Sequence, residues 1–132
     1  MLKRCVLSYF YILIEYLILH VIYSIIGWGD TIDGVDSSPN NLLHVDVKYV
    51  TNPTCQSAYD AINRNIDSAM MCAAEPGKDS CRGDSGGPLL DKENNVLVGV
   101  VSFGVGCANP NYPGVYGRIA EEVSTNHIIY MY

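Results

Sequence analysis

The stretch Lys78-Asp79-Ser80-Cys81-Arg82-Gly83-Asp84-Ser85-Gly86-Gly87-Pro88-Leu89 decides how this chain is read. Ser85 is its candidate nucleophile, with Gly83 before it and Gly86 after it. Glycines there leave no Cβ between the backbone and an approaching ligand. The N–H groups of Gly83 and Ser85 can converge on one oxygen, the arrangement that stabilises the oxyanion of an acyl-transfer intermediate. Pro88 ends the loop and Leu89-Leu90 opens an apolar run. The competing reading is a surface turn, because Gly, Asp, Ser and Pro are ordinary turn formers. A lone Gly-x-Ser-x-Gly would leave that reading ahead. Gly83-Asp84-Ser85-Gly86-Gly87-Pro88 specifies six residue types in a row and is far more specific.

The totals narrow the classes. The chain has 132 residues, room for one domain with a real core. Hydrophobic residues make up 48%, which argues against disorder over most of it. Net charge is −6 and no basic cluster exceeds Lys3-Arg4, so nucleic acid is not an expected partner. There are five cysteines, no Cys-x-x-Cys pair and no His beside a Cys, which disfavours a zinc site. Two disulfides with one thiol left over, in a secretory or extracellular compartment, fit better. Spacing alone leaves the pairing open.

Residues 1–26 differ from the rest. Lys3-Arg4 precede an apolar run from Val6 to Ile26 that contains Glu15 and His20 and lacks strict alternation. A strand therefore reads poorly here. The length suits a bilayer span with its cationic start on the cytoplasmic side, although Glu15 makes insertion marginal. A signal-anchor, a substituted N-terminus and a buried helix all remain open, and membrane attachment would run through residues 6–26. We place the boundary between residues 1–23 and a domain over 24–132. Within that domain, Leu43, Val45, Val47 and Tyr49 alternate with polar residues as a half-buried strand. Thr54 to Ile62 reads as a helix opened by Thr54. Met70 to Ala73 reads as a strand. Leu89-Leu90 and Val96 to Val101 read as a hairpin around the turn Asp91 to Asn95, and a helix begins at Ala120.

Gly83 to Pro88 resembles the nucleophile loop of trypsin- and chymotrypsin-like serine endopeptidases. Gly27-Trp28-Gly29, weak alone, resembles the start of that family's second barrel. Ser102-Phe103-Gly104 is similar to its substrate-pairing edge, with Phe103 where Trp is usual. Tyr112 to Tyr116 is similar to the back strand of its specificity pocket. The resemblance covers residues 24–123. It implies an all-β fold, the second six-stranded barrel of the trypsin-like architecture with a C-terminal helix, preceded by the apolar segment. It implies Ser85 as nucleophile and the Gly83 and Ser85 N–H groups as oxyanion donors. It also implies disulfides Cys55–Cys72 and Cys81–Cys107, and no metal or cofactor.

The resemblance further implies a substrate pocket of Asp79, Ser80, Ser102, Phe103, Gly104 and Gly114. Asp79 at its floor selects Lys or Arg on a polypeptide substrate. The family often joins the positions of Tyr23 and Asp91 by a disulfide, so that loss is matched here. Two of its parts are missing. His20, His44 and His127 lack the surroundings of the family's catalytic His, and no Asp matches its partner. Both come from the first barrel, which becomes an expected partner. Asp84 stands where the family pairs a buried carboxylate with the α-amino group freed by activation cleavage. Without that partner Asp84 is expected to stay solvated or to disorder the loop. The alternatives to an endopeptidase are a non-catalytic module that binds Lys- or Arg-bearing chains and a membrane-anchored interaction protein.

Overall fold

The computed structural model describes residues 21–119. Six antiparallel strands form a closed barrel: β1 (Ile22–Gly27), β2 (Leu43–Val50), β3 (Met70–Ala74), β4 (Pro88–Asp91), β5 (Val96–Phe103) and β6 (Gly114–Arg118). Their order around the barrel is β1-β2-β3-β6-β5-β4, and β1 closes it by pairing with β4 as well as β2. Closure leaves no open sheet edge. One helix, α1 (Asn52–Tyr59), followed by a 3-10 turn (Asp60–Ile62), crosses between β2 and β3. The fold is the all-β barrel expected. His20, His127, Cys5, most of the N-terminal apolar run and the helix expected from Ala120 lie outside the described residues.

Each strand supplies the interior. Ile25, Val47, Met71, Ala73, Leu89, Val101 and Tyr116 form one buried cluster. A second, of Cys55, Tyr59, Ile66, Cys72 and Val115, lies under α1, with the Cys55–Cys72 disulfide inside it. Leu89 is fully buried on β4, directly before the bulge between Leu89 and Leu90 in the β4–β5 pairing. Leu89→Ala is expected to destabilise the fold by about 2–5 kcal/mol, read as a lower denaturation midpoint at unchanged slope. A change within ~0.5 kcal/mol would show that the barrel closes over the cavity.

Two readings are corrected. Residues 22–27 are a strand, not the end of a helical apolar segment, so the barrel begins two residues before the boundary drawn at 24. Alternation is hidden because both faces are covered. Tyr23 and Ile25 face the core. On the other face Ser24 donates to Asp46 Oδ1 across the pair at 2.6 Å, and Asp46 also pairs with Lys92. Tyr23 stands directly opposite Asp91 in the β1–β4 register. The helix is opened by Thr51, not Thr54. The Thr51 side chain accepts from Thr54 N, with Pro53 in the first turn, where a missing N–H costs nothing. Among the described residues no helix is long and apolar enough to cross a membrane.

Candidate active site

The loop around Ser85 is held at both ends by the barrel. Gly86 N–H donates to Val101 O and Val101 N–H to Gly87 O, each at 2.9 Å, which ties the loop to β5. Gly87 N–H donates to Asp84 O at 2.8 Å. Before Ser85, Asp84 N–H closes a four-residue turn on Cys81 O at 3.0 Å. Gly83 is the third residue of that turn, at φ +98°. That region is costly for any residue with a Cβ, which explains the glycine. Ser85 is exposed on the far side of the turn.

Asp84 corrects an expectation. Its carboxylate is half-buried and ordered, accepting from Gly29 N–H at 2.7 Å and Cys81 N–H at 2.9 Å. Two backbone donors to an anion are strong partners, so the buried charge needs no ammonium to be satisfied. The space comes from Gly27 and Gly29, because a Cβ on either would overlap the Asp84 carboxylate. Gly-Trp-Gly is thus a cradle for the acid beside the nucleophile candidate.

Asp30 escaped the sequence reading, which placed it in a polar loop. It is 8% exposed. It accepts from Ser37 N–H at 2.8 Å, Arg82 Nε–H at 2.9 Å and the Ser38 hydroxyl at 3.2 Å. Its own N–H donates to Arg82 O at 2.8 Å. The Ser37 backbone donor, with the Arg82 side chain, holds its carboxyl below the usual carboxylate range. Arg82 directly precedes Gly83, so this buried acid clamps the chain entering the Ser85 turn. No motif signalled it.

Ser85 opens into a cleft of about 250 Å³ that Ser80, Ser102, Phe103 and Gly104 also line. Asp79 and Gly114 line a different cavity, of about 400 Å³. The Cys81–Cys107 disulfide borders the Ser85 cleft on one side and space next to Asp79 on the other. The structure therefore gathers four of the named pocket residues with Ser85 in one cleft, while Asp79 and Gly114 line another cavity. Asp79 accepts from Ser80 N–H at 2.8 Å and Ala108 N–H at 3.0 Å. Burial still raises its carboxyl above the ordinary range. A Cβ at Gly114 would stand 2.7 Å from Asp79 Oδ1 and 2.9 Å from the Tyr116 hydroxyl. Tyr116 is fully buried and its hydroxyl has no partner among the described residues. Tyr59 donates to Pro113 O at 2.8 Å. Burial, and then the Asp79 charge, push Tyr59 up to about 12 and Tyr116 higher still. Both phenols remain neutral beside Asp79.

His44, the only histidine among the described residues, is exposed on β2 and lines a cavity with Asp79 and Asp84, not the Ser85 cleft. Asp33, Cys81 and Cys107 lie close enough to suggest metal ligands, but their sulfurs are spent in the disulfide.

This constellation can be set against known proteins. The model of the trypsin family, described as Trypsin, matches residues 19–125. The chain belongs to the trypsin family. It is 48% identical over 98 residues to trypsin delta of Drosophila erecta, covering 74% of this chain and 38% of that protein. It is 50% identical over 95 residues to hypodermin-A of Hypoderma lineatum, covering 72% and 36% respectively. Against trypsin delta of Drosophila melanogaster it is 50% identical over 97 residues, covering 74% and 38%. The chain thus matches little more than a third of the length of these relatives. Among the described residues it carries two disulfides, Cys55–Cys72 and Cys81–Cys107.

Proposed function

We propose that this chain is the nucleophile-bearing barrel of a trypsin-like endopeptidase that cleaves polypeptides after Lys or Arg. Ser85 is the nucleophile, and the N–H groups of Gly83 and Ser85 receive the oxyanion. The observation that carries the reading is the formed turn at Gly83, with Ser85 at the mouth of a cleft lined by Ser80, Ser102, Phe103 and Gly104. Asp79 supplies the charge that selects a cationic side chain, and Gly114 leaves it room. Asp84 sets the loop in place of an activation contact. The base that takes the Ser85 proton, and the acid that orients it, come from a first barrel, so the chain alone is inactive. A non-catalytic module binding Lys- or Arg-bearing chains is favoured instead by the lack of a histidine in the Ser85 cleft among the described residues. Two disulfides fit an oxidising, extracellular setting.

Benzamidine tests the pocket. The wild-type chain is expected to bind it, and Asp79→Ser to lose at least tenfold in affinity, the scale of a charge-assisted pair at a partly buried site. Acidification gives a second signature. Burial raises the Asp79 carboxyl, so its ionised form is lost at a higher pH than for a solvated aspartate. Binding should therefore weaken as pH falls, starting above the range of a free carboxylate. Equal affinity in wild type and Asp79→Ser would remove Asp79 from the pocket.

A further inference from the structure

Two guanidinium groups stand near the Ser85 cleft, and their situations differ. Arg82 lines the cleft, but its side chain is engaged with buried Asp30. Arg64 lies with its guanidinium carbon 4.1 Å from the centroid of the Phe103 ring, and Phe103 is a wall of the cleft. Among the described residues, no carboxylate comes within 4.0 Å of it. The backbone under Arg64 is fixed. Arg64 N–H donates to Tyr59 O at 3.2 Å, and the Gln56 amide donates to Arg64 O at 3.0 Å. The same Gln56 side chain accepts from Ile66 N–H at 2.7 Å. Asn63, at φ +53°, turns the chain out of the 3-10 turn to place Arg64 there. Tyr59 meets Phe103 edge-on, with ring centroids 5.8 Å apart, so the ring under the guanidinium is itself held.

Stacking uses the face of a guanidinium and leaves its edge N–H donors for a planar, bidentate acceptor. A carboxylate is such an acceptor. Elsewhere the rim of the cleft is acidic or neutralised. Asp33 lines it, and Arg82 is spent on Asp30. With a net charge of −6, the chain as a whole repels acidic ligands. On such a surface a local cation is the strongest means of favouring an acidic residue.

We propose that Arg64 is a specificity-determining residue, selecting polypeptides that carry an acidic side chain a few residues from the cationic one. The inference rests on the reading that a polypeptide lies along Ser102-Phe103-Gly104. The probes are acetylated tetrapeptide amides that end in Arg, with Glu placed in turn at each of the three preceding positions and Ala at the others. An all-Ala peptide is the reference. Dissociation constants come from NMR titration of the full chain.

One Glu position is expected to bind about two- to fivefold tighter than the reference, the range of an exposed ion pair. Arg64→Gln should abolish that gain, Arg64→Glu should reverse it, and 0.5 M salt should reduce it. Retained amide-shift dispersion shows that each variant is folded. A Glu preference that survives in Arg64→Gln overturns the assignment. So does a reference peptide that binds with no gain from Glu at any position, an outcome that leaves the peptide-binding reading standing. If no peptide binds, that reading falls and this inference falls with it.

Discussion

A fluorophosphonate probe is expected to leave Ser85 of this chain unlabelled, and to label it once a barrel carrying a histidine and an aspartate is supplied. A serine hydroxyl is a weak nucleophile until a base takes its proton. His44 is the only candidate among the described residues, and it sits on the exposed face of β2, away from the Ser85 cleft. In this family, removal of triad members leaves a residual acceleration of about 10³–10⁴ over water, drawn from the oxyanion hole and binding. The turn at Gly83 is formed and Asp84 is satisfied, so that residual need not be lost as well. Labelling by the chain alone should still fall orders of magnitude below that of the complemented form. Mass spectrometry of the labelled peptide distinguishes the cases. Fast stoichiometric labelling of the isolated chain would mean that His20, His44 or His127 has been recruited as base, and would overturn the two-barrel reading.

Gly27→Ala is expected to destabilise the fold by about 3–6 kcal/mol, an unusual cost for one methyl group. Gly27 needs no positive φ, so backbone strain is not the cause. The added Cβ overlaps the Asp84 carboxylate and must expel it. Expulsion breaks two charge-assisted hydrogen bonds, from Gly29 and Cys81, each worth about 1.5–3 kcal/mol. The freed loop also loses its hold on the Gly83 turn. A double-mutant cycle separates this cause from a general intolerance of bulk. The atoms that crowd the new Cβ all belong to Asp84, and only its own Cβ, 3.6 Å away, persists in Asp84→Ala. In that background Gly27→Ala should therefore cost less than about 1 kcal/mol. Equal costs in both backgrounds, measured by chemical denaturation, would separate the Gly27 requirement from Asp84.

The barrel was legible where the chemistry is local. The strand β2 showed itself through alternation over Leu43 to Tyr49, and the β4–β5 hairpin through the polar turn Asp91 to Asn95 between apolar runs. β1 was not legible, because Ser24 is covered by Asp46 and the apolar residues around it break the two-residue period. The Ser85 loop stood out through six consecutive residue types that resemble the family's motif. What positions it did not. The contacts of Gly29 with Asp84 and of Asp30 with Arg82 each join residues more than fifty positions apart. Spacing encodes no such pair. Nor could composition show that the disulfide lines both the Ser85 cleft and a cavity holding Asp79, or that the Arg64 guanidinium settles on Phe103.

The two disulfides divide the described chain unequally. Both disulfides lie within residues 55–107, whereas the hairpin of β1 and β2 carries none and is held against β3 and β4 by strand pairing, packing and ion pairs such as Asp46–Lys92. Yet Gly29 and Asp30, which reach across to Asp84 and Arg82, ride on the connection within that unbraced hairpin. Cross-links protect the part of the molecule that carries Ser85, but not the part that holds Ser85 in register. Warming or mild denaturant that peels back the hairpin would open the barrel and release the Ser85 turn while both cystines stay intact. Loss of order at the Ser85 turn is therefore expected to precede loss of the disulfide-bearing remainder.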